Sequence, residues 1–125
     1  MIKNFIKIGE YIKPNQDPSY EEFIEKNKTK KIPIVYLFVV NKQIKYIGES
    51  RRGYYRPLSY NKNNVMRQRL EILKITTKNI KVEVFAYEVP TKKVCVNDME
   101  VDTYIAQDYE KALINKYNPE WNGRS

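Results

Sequence analysis

The stretch IVYLFVVNKQIKYIGES (residues 34–50) decides the fold. Residues 32–40 are apolar and rich in β-branched side chains, with Pro33 at the start and Asn41 at the end, which reads as a strand buried on both faces. Asn41, Lys42 and Gln43 turn the chain back, and residues 44–48 form the return strand. If Val40 faces Ile44 across that turn, Phe38 faces Tyr46 and Tyr36 faces Gly48. The two tyrosines then lie on one face of the hairpin as diagonal neighbours.

Downstream of Gly48 the chain turns basic and aromatic, RRGYYRPLSYNK, with Pro57 suited to the first turn of a helix. A polar break at 61–64 precedes an expected helix over 65–75, with Met66, Leu70 and Leu73 at helical spacing. Residues 81–89 alternate as a third strand that Pro90 closes. VCVNDMEVDTY fits a peripheral hairpin or an irregular excursion equally well. The last helix is expected over 105–117, stopping before Pro119. Upstream, residues 1–31 read as an attached arm, in which Ser19 and Glu22 form a capping box and Tyr20, Phe23 and Ile24 make the buried side of a short helix. The expected architecture is therefore α+β, a small central three-stranded antiparallel sheet flanked by helices, with residues 32–125 as the functional domain.

The chain has 125 residues, enough for one core. No apolar run approaches the roughly 18 residues that span a bilayer, and no secretory signal is expected in MIKNFIKIGEYIK. The single cysteine, Cys95, permits no internal disulfide and fits a reducing, cytoplasmic setting. With no histidine in the chain, His general bases and His-ligated metals are excluded, and one cysteine cannot hold structural zinc. The formal net charge of +8 points to a polyanionic partner. Arg51, Arg52, Arg56, Lys62, Arg67 and Arg69 crowd one region and are interleaved with Tyr54, Tyr55 and Tyr60, a pattern suited to nucleic acid. Taken one at a time, each of these tyrosines is better explained by packing.

Two acidic features could carry chemistry. Glu110 follows Ala106 by four residues and precedes Leu113 and Ile114 by three and four, so it falls inside the apolar stripe of the last helix. A carboxylate there takes a proton, pairs with a basic side chain or holds a hard cation such as magnesium. Asp98, Glu100 and Asp102 alternate along NDMEVD, as the ligands of a two-metal centre would, or as the solvated face of an edge strand does.

Taken together, these pieces resemble the GIY-YIG endonuclease superfamily, with a layout near its small phage and restriction enzymes. Ile34, Val35 and Tyr36 represent the first signature, and Tyr46, Ile47 and Gly48 match the second without alteration. Arg56 stands eight residues beyond Gly48, at the family's arginine position, and EKALINKYNPEWN looks like the family's glutamate-to-asparagine block, with Glu110 and Asn122. The likeness covers residues 32–122. Ile34 replaces the first glycine, Glu49 stands where many members have lysine or a small polar residue, and no histidine is available for the helper position, for which Arg67 or Lys62 is the counterpart.

The resemblance implies hydrolysis of a DNA phosphodiester by in-line water attack with one Mg2+, for which Mn2+ could substitute. It assigns Glu110 to the metal, Tyr36 to the general base, Arg56 to the scissile phosphate and Tyr46 to positioning. Arg51, Arg52, Lys62, Arg67, Arg69 and Asn122 would contact double-stranded DNA, and a homo-oligomer, dimer or tetramer, would present two sites to two strands. The competing expectation is a nucleic-acid-binding module without catalysis.

Overall fold

A computed structural model of the protein describes residues 2–27, 30–62 and 67–123. The hairpin forms as β3 (Ile34–Val40), buried along its whole length, and β4 (Gln43–Ser50). Tyr36 pairs with Gly48 and Phe38 with Tyr46, the expected register. Nearer the turn the register differs: Val39 pairs with Ile44 and Val40 with Gln43, with a bulge following Phe38. Asn41 and Lys42 have φ of 49° and 66°, the conformation of a two-residue type I′ turn, whose twist suits a tight hairpin better than a three-residue loop. The bulge absorbs the residue so displaced.

The sheet has five strands, where the sequence suggested three. β1 (Ile6–Tyr11) and β2 (Ser19–Tyr20) come from the expected arm, and β5 is Val82–Glu88. The order is β2-β1-β5-β3-β4, and each pairing is antiparallel. β1 is hard to see in the sequence because its alternation breaks: the register shifts between Lys7 and Gly9. Gly9 is needed because β2 passes so close that a Cβ there would lie 2.3 Å from the Ser19 carbonyl oxygen. Ser19 is thus a strand residue paired with Glu10, and no helix cap. The helix that follows, α1 (Glu22–Asn27), buries Ile24, while Phe23 is exposed.

One face of the sheet packs Tyr36, Phe38, Val82 and Val84 with Ile24 and with Ile72 of α2 (Arg67–Thr77). Helix α2 ends later than expected; Val65 and Met66 lie outside the described residues, and Leu70 points outward at 54% exposure, since Ile72 and Thr76 form the inward pair. Pro57 sits in a tight turn between two 3-10 turns, 53–55 and 60–62, in place of the expected helix. The opposite face packs Val35, Leu37, Val39 and Ile47 with Ala106 and Leu113 of α3 (Ala106–Tyr117). Asn118 ends α3 in the left-handed region, with its N–H on the Ile114 carbonyl at 2.7 Å. β6 (Lys92–Val96) and β7 (Met99–Thr103) form a separate hairpin turning at Asn97 and Asp98, both of positive φ. No described helix is long and apolar enough to cross a membrane.

Candidate active site

Three tyrosines meet where β3 and β4 lie under the loop that follows them. Tyr36, 1% exposed, projects from β3 over Gly48 of β4. A Cβ on residue 48 would lie 2.5 Å from Cζ and 2.6 Å from the hydroxyl oxygen of Tyr36, so glycine is what lets the ring lie flat across the neighbouring strand. The Tyr36 hydroxyl is 2.5 Å from that of Tyr60. The Tyr46 ring completes a triangle, its centroid 6.2 Å from Tyr36 and 6.3 Å from Tyr60. Tyr60 is fixed from below: its N–H donates to the Tyr11 hydroxyl at 3.1 Å, which itself donates to the Pro57 carbonyl at 2.6 Å. Phe38 packs edge-on against Tyr60 at 4.8 Å.

Arg56, four residues before Tyr60, interacts electrostatically with the hydroxyls of both Tyr36 and Tyr60. Desolvation disfavours the Arg56 cation, but the two phenol oxygens more than offset it. Burial pushes all three phenols well above the ordinary tyrosine value. Either hydroxyl of the Tyr36–Tyr60 pair can donate to the other, and once Tyr36 ionises Tyr60 is the donor. Arg56 likewise favours the Tyr36 phenolate.

Glu110 comes to this cluster from α3. Its carboxyl is half-buried and is pushed up to about 7, first by desolvation and then by the charge of Glu49. It is close enough to Tyr46 to raise that phenol as well. Among the described residues no ion pair includes Glu110, so the expected alternative of an arginine partner is not what the fold provides. No group of three or more Asp, Glu, Cys or His able to hold a metal occurs among the described residues. One or two carboxylates with open room for water suit a hard, strongly hydrated cation such as magnesium, and do not suit an all-protein cage. The rival acidic run is a solvated hairpin face: Lys93 bridges Glu100 at 3.0 Å and Asp102 at 3.9 Å, and Asp98 lies in the turn.

The fold has parallels among solved structures. Over 95% of this chain and 92% of the other, the fold superposes on a mutant of bacteriophage T4 EndoII with a TM-score of 0.73 at 18% identity. A restriction endonuclease, Hpy188I in complex with product DNA, matches with a TM-score of 0.55 at 19% identity over 98% and 79% of the two chains. The GIY-YIG N-terminal endonuclease domain of UvrC from Thermotoga maritima, bound to its catalytic divalent cation, matches with a TM-score of 0.52 at 24% identity over 83% and 99%. The chain has the GIY-YIG endonuclease fold. No family model and no curated protein matches the sequence.

On this GIY-YIG scaffold the expected DNA-contacting residues separate by environment. Arg51 and Arg52 are exposed next to β4, and Arg51 lies over the Tyr104 ring, 3.9 Å from its centroid. Lys62 is exposed and 3.7 Å from Asp17, while Arg67 lies beside Gly123; the Tyr36 hydroxyl instead lies against that of Tyr60. Arg69 ties the first loop down, donating to Asn15 at 3.3 Å and to the Asn61 carbonyl at 3.4 Å. Asn122 uses its amide on the backbone of Ile47, accepting its N–H at 2.9 Å and donating to its carbonyl at 2.8 Å. Tyr54 is buried and Tyr55 exposed. Sequence reasoning did not bring Tyr60 to Tyr36, because the chain from Arg56 to Tyr60 is an irregular turn, and no spacing marked the contact of Tyr104 with Arg51.

Proposed function

We propose that the protein is a divalent-metal-dependent DNA endonuclease that hydrolyses phosphodiesters by in-line attack of water, leaving 5′-phosphate and 3′-hydroxyl ends. The observation that carries this reading is the convergence of a half-buried carboxylate, Glu110, which forms no ion pair among the described residues, with Tyr46, Tyr36, Tyr60 and Arg56. The fold neighbours support it: they are nucleases, one of them with product DNA and one with its catalytic divalent cation. The net charge of +8 supplies long-range attraction for DNA.

Glu110 would hold the cation, which in this chemistry neutralises the phosphate and stabilises the leaving 3′ oxygen. Arg56, exposed at the rim, grips the scissile phosphate and at the same time favours the Tyr36 phenolate. Tyr36 accepts the proton of the attacking water. Its burial sets a condition on that role: the phenolate forms only where Arg56 and the Tyr60 hydroxyl both stabilise it. Tyr46, the more accessible of the two hairpin tyrosines, orients the water or the phosphate. Exposed Arg51, Arg52, Lys62 and Arg67 extend the contact along the duplex. The exposed apolar side chains Val94, Val96, Met99 and Val101 of the β6–β7 hairpin favour assembly into a homo-oligomer, consistent with a phage-type DNA-degrading or restriction role in the cytoplasm.

Glu110→Ala separates this reading from a binding module without catalysis. The variant is expected to keep DNA affinity and lose cleavage; cutting at the wild-type rate would refute the metal assignment, and absence of cleavage in the wild type with Mg2+ or Mn2+ would favour the binding module.

A further inference from the structure

Glu49 lies outside the roles assigned above, yet it faces the proposed metal ligand. Along β4 it alternates with Tyr46 and Gly48 and shares the side of Ile47, the side that α3 covers through Ala106 and Leu113. Glu110 is one turn after Ala106 and one turn before Leu113, on the same stripe of α3. The two carboxylates therefore enter one seam, one from the strand and one from the helix. Each acts on a common space: the charge of Glu49 bears directly on Glu110. Among the described residues neither has an ion-pair partner.

Glu49 is also held in place. The Tyr104 hydroxyl donates to its Oε2, and the Arg51 guanidinium rests on the Tyr104 ring 3.9 Å from the centroid. Among the described residues only Oε2 of Glu49 takes part in a hydrogen bond, which leaves Oε1 available. Two carboxylates that enter one seam supply the hard oxygen ligands that a divalent cation takes.

We propose that Glu49 shares the divalent cation with Glu110, and that Tyr104 and Arg51 hold the Glu49 carboxylate for that purpose. The inference rests on Glu110 being a metal ligand. It gives this chain a site with two carboxylates, and it assigns Arg51 a positioning part through Tyr104.

Binding of Mn2+ to the metal-free protein without DNA, followed by electron paramagnetic resonance of the free ion, tests this independently of cleavage. Glu49→Gln is expected to weaken Mn2+ binding by about 10–100-fold, Tyr104→Phe by a smaller factor, and Glu110→Gln is expected to abolish it. Wild-type Mn2+ affinity in Glu49→Gln, alongside lost binding in Glu110→Gln, would overturn the inference and leave the endonuclease reading standing. Wild-type affinity in Glu110→Gln would remove both. Thermal unfolding in chelator supplies a second readout: Glu49→Gln removes a like charge, so it should melt at or above the wild-type temperature and gain less from added Mn2+. A lower melting temperature in chelator would mean that Glu49 merely anchors Tyr104, and would also overturn the proposal.

Discussion

At the scale of single residues, Glu110 and Tyr60 carry the sharpest consequences. The Glu110 carboxyl is raised in the folded chain from 4.5 to about 7. A carboxyl raised by folding favours the protonated native state, so its contribution to stability is complete below the unfolded value and is lost as pH climbs through about 7. In chelator, therefore, the wild-type melting temperature should fall relative to that of Glu110→Gln between pH 4.5 and 7. Calorimetric scans that run parallel for the two proteins across that window would show Glu110 to be ordinarily solvated. Tyr60→Phe keeps the ring packed on Phe38 but removes the hydroxyl that pairs with Tyr36 and would stabilise its phenolate. A hydrogen bond to a charged group contributes about 1.5–3 kcal/mol, so the single-turnover cleavage rate should drop by about 10–150-fold. A rate within twofold of wild type would take Tyr60 out of the chemistry.

At the scale of elements, the edge strand β4 is completed by a side chain. In place of a neighbouring strand, Asn122 gives Ile47 one acceptor and one donor, which pins the chain beyond α3 to the strand that carries Tyr46. Loss of a partner for a buried polar group costs about 1–3 kcal/mol. Asn122→Ala should accordingly lower unfolding stability by about that amount, read as an earlier urea midpoint, with DNA affinity unchanged; an unchanged midpoint with weaker DNA binding would return Asn122 to the DNA-contacting set. The hairpin that carries the tyrosines was legible in the sequence because its apolar pairs admit few registers once Tyr36 and Gly48 are opposed. Only the turn was misread, since the type I′ geometry at Asn41 and Lys42 moves the register by one through a bulge. β1 was not legible: IKIGEY has a mid-strand bulge and finds its partner β5 some seventy residues away, so no local pattern announces the pairing. α3 and Glu110 were readable from helical spacing and the stop at Pro119, whereas the pairing of Glu110 with Glu49 depends on how α3 lies on β4, which spacing does not encode.

At the scale of the whole molecule, the sheet separates two packed faces, and the chemical groups gather along its β4 border. The tyrosines and Arg56 belong to the face shared with α2, and Glu110 comes from the face shared with α3. The four residues that the sequence singled out, Tyr36, Tyr46, Arg56 and Glu110, come from both layers and approach one another only at the edge strand, which residue spacing does not encode. The positive charge is also a whole-molecule property, with Arg51, Arg52, Arg56, Lys62 and Arg67 all exposed, while Arg69 is drawn into holding the first loop. Conversion of supercoiled plasmid to nicked or linear DNA by the purified protein, with Mg2+ and then with excess chelator, tests the central claim most directly. The account predicts cleavage with Mg2+ that ceases in chelator and in Glu110→Ala; cleavage that persists in chelator, or no cleavage with either Mg2+ or Mn2+, would contradict it.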